Sequence, residues 1–238
     1  MNHNMSLKQK YNYIILQQGS LTLKPDGMVD YNEEHRCTIT LIWPIKSNLQ
    51  KNNSLLIDPC FSNQSLLSAN SILDDYKISL SEIQNFFITH NHSDHLPDYS
   101  LTKITVDVNY IDKDDNSFID IDIYPCPGHS DDSKCLYFKS KSNKNVCITG
   151  DTILNKDWLK AWQYYWPNGY TKEEVIKTWA SVCQIVSNAD IIIPGHGKPF
   201  NVTKDLLKYL IDNFSSAQYS YQSKNSIEII KNRYNSFI

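Results

Sequence analysis

The stretch His90-Asn91-His92-Ser93-Asp94-His95 decides how the rest of the chain is read. Three imidazoles and a carboxylate follow directly on the apolar run Phe86 to Thr89, the pattern of a buried strand that delivers a working loop at its end. In an extended loop, residues i and i+2 project to the same side. His90 and His92 therefore present two imidazoles to one point, while Asp94 and His95 turn toward a neighbouring one. Two adjacent metal positions fit this spacing better than one, and imidazole nitrogen with carboxylate oxygen is a donor set that suits a borderline ion such as zinc.

Three more candidates lie further along: His129 in Pro127-Gly128-His129-Ser130, Asp151 after Thr149-Gly150, and His196 in Pro194-Gly195-His196-Gly197. Each has a glycine immediately before it, which permits a sharp turn and close backbone approach, and each follows an apolar run that would place the loop on a rigid strand. Taken singly, His129 or His196 reads as an ordinary turn or capping histidine; the joint pattern is what makes them ligands. His3 and His35 lie in polar surroundings and read as surface residues. Cys126, three positions before His129, reads as a buried structural thiol and stays outside the site.

The ordered set His90, His92, Asp94, His95, His129, Asp151, His196 resembles the metallo-β-lactamase-fold superfamily, with its H-x-H-x-D-H motif followed by H, D and H. The resemblance runs from the Asp58 region to His196 and leaves the subfamily open. It implies an α/β fold, an αββα four-layer sandwich with a dinuclear site at the sandwich edge. By that likeness His90, His92 and His129 hold the first metal, Asp94, His95 and His196 the second, and Asp151 bridges them. Asp58, at a strand end, would orient a ligand histidine from behind. Leu96-Pro97-Asp98 stands where many members have a glycine, so the pocket floor is expected to differ. His92 in place of glutamate disfavours the diiron oxygen-reductase branch. The stretch after His196 reads as too short for a large helical extension or an inserted nuclease domain.

Around these motifs the period of the apolar residues alternates between strand and helix. Strands are expected at Tyr11 to Gln17, Cys37 to Ile45, Leu55 to Asp58, Phe86 to Thr89, Lys103 to Ile111, Phe118 to Tyr124, Leu136 to Ser140, Val146 to Thr149 and Asp190 to Ile193. Helical periodicity appears at Ser62 to Tyr76, Asn155 to Ser187 and Val202 to Phe214. Ser79-x-x-Glu82 and Thr171-x-x-Glu174 read as capping boxes. Lys24 to Arg36 suits an exposed hairpin connection or flap. The 238 residues show no linker or repeat, so we read one domain, with a motif-bearing core over about 37–200, an aromatic helical insert at 155–188 and a polar, tyrosine-rich tail at 216–238 that resists placement. The insert gathers Trp158, Trp162, Trp166 and Trp179 with Tyr164, Tyr165 and Tyr170; this is either a small apolar subcore or a lid over the site, in which Trp162 and Tyr165 would touch substrate.

Composition limits the function. A mean hydropathy of -0.44 without a long apolar run disfavours a membrane span, and a net charge of -3 gives no overall basic field for nucleic acid, which would need a local basic patch hidden by that net charge. The polar N-terminus carries no signal-peptide core, so a cytoplasmic protein is expected, and the six scattered cysteines read as free thiols with no bridges drawn. The resulting expectation is an enzyme: a hydrolase with two divalent ions, zinc first and iron or manganese as alternatives. A metal-bridging hydroxide would cleave a small-molecule ester, thioester, lactone or amide. Asp94 would orient that nucleophile and take its proton. The alternatives are a phosphodiesterase or ribonuclease of the same fold, a mononuclear-iron sulfur oxygenase, and a catalytically silent binding scaffold. Oligomeric state is left open.

Overall fold

In a computed structural model, which describes residues 9–22, 24, 29–30, 32–33, 35–50, 52–98, 109–112, 118–160 and 170–237, the alternating apolar residues sort onto the two faces of two sheets. The first sheet runs β1 (Tyr11–Gln17), β2 (Ile39–Pro44), β3 (Leu55–Ile57), β4 (Asn85–Phe87) and β5 (Asn109–Tyr110) in that order. Its β1–β2 and β2–β3 pairings are antiparallel, and its β3–β4 and β4–β5 pairings are parallel. The second sheet has the order β10 (Phe200–Asn201), β9 (Ile191–Ile193), β8 (Asn145–Ile148), β7 (Lys134–Lys139) and β6 (Asp122–Pro125), with β8–β9 its one parallel pair.

Side-chain alternation turns these sheets into layers. Ile42, Leu55, Ile57 and Phe87 of the first sheet share one buried cluster with Leu136, Phe138, Val146, Ile148 and Ile193 of the second, so the sheets pack face to face. The intervening residues point the other way. Ile39, Leu41, Trp43 and Leu56 pack with Ala69 and Leu73 of α1 (Asn63–Asp74). Cys135, Cys147 and Ile192 pack with α3 (Lys172–Asn188), α4 (Lys204–Asn213) and α5 (Lys224–Ser236). Three apolar interlayers make four layers, helix, sheet, sheet, helix, the architecture expected. A short α2 (Lys156–Lys160) adds Leu159 to the outer cluster.

Both capping boxes form, Ser79 with Glu82 and Thr171 with Glu174. The tail expected to resist placement is helical from Lys224 to Ser236; Ile227 and Ile230 are buried in the outer cluster, and Tyr234 packs against it. The expectation of free cysteines fails at one pair: Cys37 and Cys60 form a disulfide, while Cys126, Cys135, Cys147 and Cys183 are free and buried. The reason is register. Thr40 faces Ile57 and Leu41 faces Leu56 across β2 and β3, and extending that pairing past the strand ends sets Cys37 opposite Cys60. Of the insert, Trp158 and Trp179 pack together in the outer cluster, with ring centroids 6.0 Å apart. Trp162, Tyr164, Tyr165 and Trp166, with most of the strand expected at Lys103 to Ile111 and parts of the flap at Lys24 to Arg36, lie outside the described residues. No described helix is long and apolar enough to cross a membrane.

Candidate metal centre

The parallel strands β3 and β4 of one sheet and β8 and β9 of the other end at the same edge of the sandwich, and ligand-bearing loops leave from their carboxyl ends. Beyond β3 stands Asp58; beyond β4 come Thr89 and the histidine loop; beyond β8, Gly150-Asp151; beyond β9, Gly195-His196. His129 arrives from the connection between β6 and β7. Gly150 takes φ +49, and a side chain there would run into Thr89, so the loop carrying Asp151 lies directly against the loop carrying His90.

The seven sequence-selected residues converge in two groups. His90, His92, His129 and Asp151 form one, and Asp94, His95, Asp151 and His196 the other; within each, one ligand atom per residue lies within 4.8 Å of all the rest. Asp151 belongs to both. Its Oδ1 is 3.0 Å from His95 Nε2 and 3.1 Å from His196 Nε2, while its Oδ2 is 3.2 Å from His196 Nε2, 3.5 Å from His129 Nε2 and 3.9 Å from His90 Nε2. His129 Nε2 lies 2.9 Å from His92 Nδ1, and Asp94 Oδ2 lies 3.4 Å from His196 Nε2. His90, His95, Asp151 and His196 are buried, Asp94 and His129 are partly exposed, and His92 is open to solvent.

The outward nitrogens of these rings are held from behind. Asp58 Oδ2 accepts from His95 Nδ1 at 2.9 Å and from Thr89 Oγ1 at 2.8 Å, and Asp58 Oδ1 accepts from the Thr89 amide at 2.8 Å. With its own proton on Asp58, Thr89 Oγ1 accepts from His90 Nδ1 at 3.1 Å. The Arg36 carbonyl accepts from His196 Nδ1 at 2.8 Å. Tyr170 Oη lies 3.1 Å from His129 Nδ1. A proton fixed on Nδ1 leaves the Nε2 lone pair directed at the centre, the tautomer that a metal ligand requires. Asp58 thus stands where the resemblance puts it. Thr89, the Arg36 carbonyl and Tyr170 were not singled out by the sequence for this contact.

The electrostatics are those of a cluster that binds cations or protons. Burial pushes the Asp151 carboxyl up, but His95 and His196 outweigh it and hold it well below the ordinary carboxylate range. Burial likewise works against protonation of His95 and His196, yet the facing carboxylates raise both, His196 to about 10. His90, where burial wins, is lowered to about 3. Burial raises Asp94, but its hydrogen bond with His196 brings it down to about 2. His90 Nε2, His95 Nε2 and Asp151 Oδ1 are buried and make no hydrogen bond, although the last two are close neighbours. Buried donor atoms left without a hydrogen bond are disposed toward a shared third atom, and this set of nitrogen and oxygen donors fits a divalent transition ion.

Beside Asp94 opens a cleft of about 220 Å³, lined by His35, Arg36, Ser93, Leu96, Asp98 and the Cys37–Cys60 disulfide among others. His35 is exposed as expected, but its ring centroid is only 6.3 Å from that of His196, so it belongs to the mouth of the site rather than to a remote surface. Leu96 and Asp98, where the sequence departs from the common glycine, do line this cleft. Cys126 is buried in the outer apolar cluster, accepts from Thr152 Oγ1 and belongs to neither donor group. Trp162 and Tyr165, expected to touch substrate, lie outside the described residues.

No family model matches the chain. Metallo-beta-lactamase domain-containing protein 1 of Xenopus laevis is 25% identical over an alignment covering 63% of this chain and 69% of its own. Among solved structures, a putative metallo-beta-lactamase from Thermotoga maritima superposes with a TM-score of 0.54 at 16% identity, covering 81% of this chain and 99% of that one. A probable metal-dependent hydrolase from Staphylococcus aureus superposes with a TM-score of 0.55 at 13% identity, covering 84% and 95%.

Proposed function

We propose that this chain, which has the metallo-β-lactamase fold, is a metal-dependent hydrolase of small molecules that holds two divalent ions, zinc in the first place. The observation that carries the proposal is the sharing of Asp151 between two donor groups, with Nδ1 of His95 and of His196 already engaged by Asp58 and the Arg36 carbonyl so that Nε2 of each faces the centre. His90, His92 and His129 hold one ion, Asp94, His95 and His196 the other, and Asp151 reaches both. Ions bound there supply Lewis acidity, acidifying water near neutral pH and polarising the oxygen of a scissile bond.

The protein's own groups do the rest. Asp58, Thr89 and the Arg36 carbonyl keep His95, His90 and His196 from rotating or moving their protons. Asp94 is ionised throughout the neutral range and opens onto the cleft, so its carboxylate is available to accept a proton as water adds to the substrate. The cleft admits a substrate arm of modest size, which fits an ester, thioester, lactone or amide. Arg36 on its wall favours one further reading, a phosphodiester with an anionic oxygen facing that guanidinium.

The test is metal analysis joined to a hydrolysis panel of lactones, thioesters, β-lactams and bis-p-nitrophenyl phosphate. The expected result is close to two transition ions per chain and hydrolysis of a carbonyl substrate, with loss of one ion and of hydrolysis in His92→Ala. Fewer than one ion after metal-replete expression, or full activity in His92→Ala, would refute the proposal; hits confined to the phosphate ester select the second reading.

A further inference from the structure

We propose that Tyr170 is the positioning residue for His129, its phenol oxygen accepting the Nδ1 proton so that Nε2 is presented to the ion shared with His90 and His92. The inference rests on the metal reading above and extends it to a residue on a different element. His90, His95 and His196 are held by groups at or near strand ends, but His129 sits in a connection between β6 and β7 and needs another support. That support is α3. Ser181 Oγ donates to the Pro127 carbonyl at 2.9 Å, and a side chain on Gly128, at φ +138, would run into Thr178. Thr178 and Ser181 stand three positions apart and share a helix face.

Tyr170 completes this grip one residue before the helix cap. Thr171 caps α3, accepting from the Glu174 amide at 3.3 Å, while the Glu174 carboxylate accepts from the Thr171 amide at 2.6 Å. The backbone that carries Tyr170 is therefore anchored at the N-terminus of a 17-residue helix. The tyrosine and histidine rings are 6.0 Å apart at an interplanar angle of 37°, so they do not stack closely, and the 3.1 Å approach of Oη to Nδ1 is the direct contact. On the opposite side of the imidazole, Nε2 faces His92 Nδ1 and Asp151 Oδ2. With the phenol oxygen as acceptor the ring keeps its proton on Nδ1 and one rotation that serves a metal; a ring without that acceptor is free to take either tautomer.

The experiment uses the full chain as wild type, Tyr170→Phe and His92→Ala, each stripped with chelator and titrated with zinc against a chromophoric competitor and with cobalt(II) followed by its visible absorption. Tyr170→Phe is expected to weaken one of the two binding steps about tenfold or more, the effect typical of removing a histidine's outer hydrogen-bond partner. It should also alter the cobalt spectrum, leave the other step unchanged, and keep the melting temperature of the stripped protein. Unchanged zinc affinity and cobalt spectrum in Tyr170→Phe, while His92→Ala loses an ion, would overturn this role and leave the metal reading standing. A weakened step that tracks a fall in melting temperature would also overturn it, assigning Tyr170 to packing. A wild-type chain that binds no ion would overturn both.

Discussion

Replacing Asp58 separates a residue that builds the site from one that merely occupies it. The residue is 1% exposed, and its carboxylate accepts three hydrogen bonds, from the Thr89 amide, the Thr89 hydroxyl and His95 Nδ1, at 2.8, 2.8 and 2.9 Å. Hydrogen bonds to a charged group contribute about 1.5–3 kcal/mol each, and the three partners here are all buried. Asp58→Ala strands all three donors and places a β-carbon residue without a local polar contact at φ +50. Since neighbouring deletions do not add, the expected loss is about 3–6 kcal/mol, a large part of the ~5–15 kcal/mol that holds a typical domain.

Asp58→Asn is the sharper perturbation. Asparagine keeps the shape, tolerates positive φ, and retains one oxygen for the Thr89 amide. Its NH2 then faces Thr89 Oγ1 and His95 Nδ1, where an acceptor stood. His95 can meet that donor only by moving its proton to Nε2, the nitrogen 3.0 Å from Asp151. The folded protein should lose only about 1–2 kcal/mol in urea unfolding. Metal affinity, read by competition with a chelator, should fall roughly 10- to 100-fold because the wrong tautomer faces the ion. If Asp58→Asn bound metal as tightly as wild type, the argument that the outer hydrogen bonds set the inner nitrogens would fail.

Gly195→Ala would drive a methyl group into Asp151 Oδ1 and to 2.8 Å from the Gly150 carbonyl carbon; a loss of about 1–3 kcal/mol and a reduced metal stoichiometry are expected, and wild-type melting would contradict the close approach. Breaking the Cys37–Cys60 bond, which spans 23 positions, by Cys→Ser at both sites should lower stability by about 3 kcal/mol, read as an earlier urea midpoint, and a midpoint unmoved by the substitution or by reductant would argue that the bond does not form. In chelator-treated protein, stability should peak near pH 6.5. His90, lowered to about 3, must stay neutral in the fold, so stability is lost as pH falls from 6.5 toward 3; His196, raised to about 10, contributes fully below 6.5 and its share is lost as pH rises through 10. Each limb has a slope of up to ~1.4 kcal/mol per pH unit per group; a flat profile between pH 6.5 and 10 would count against the protonated His196–Asp151 pair.

The residues that meet at the centre were legible because their chemistry is carried by type and short spacing: three histidines and an aspartate after an apolar run, then glycine-led His129, Asp151 and His196. The layer order was legible only through the resemblance that those residues carry: β2 and β8 are apolar at most positions, so which of their residues face the other sheet and which face the helices shows only in the packing. What supports the histidines was not. The acceptor for His196 Nδ1 is a backbone carbonyl 160 residues away, and a carbonyl is common to every residue type, so no composition signal marks Arg36 for this role. Thr89 and Tyr170 are ordinary residues until tertiary packing sets them behind His90 and His129. The disulfide had a signal that scatter along the chain concealed, the register of a β2–β3 pair that points Cys37 at Cys60. The helix at Lys224–Ser236 has few apolar residues, and only its packing against the outer cluster distinguishes it from a polar tail.

The same geometry imposes an antagonism between protons and metal. Asp151 stays ionised in the bare protein because His95 and His196 are held protonated against it, so those two protons already occupy the role of a cation. A divalent ion binding to the second group must displace both, and its affinity should therefore climb with pH across the neutral range. His90 is held neutral by burial and offers its lone pair without such competition, so the first group should be the less pH-dependent of the two. Because the ion binds the assembled cluster and not the unfolded chain, it also stabilises the fold, by about 2.7 kcal/mol at a hundred times its Kd. The strand-end loops converge on a set of charges that the apolar layers alone would not favour gathering, and bound ions turn that local electrostatic strain into stabilisation.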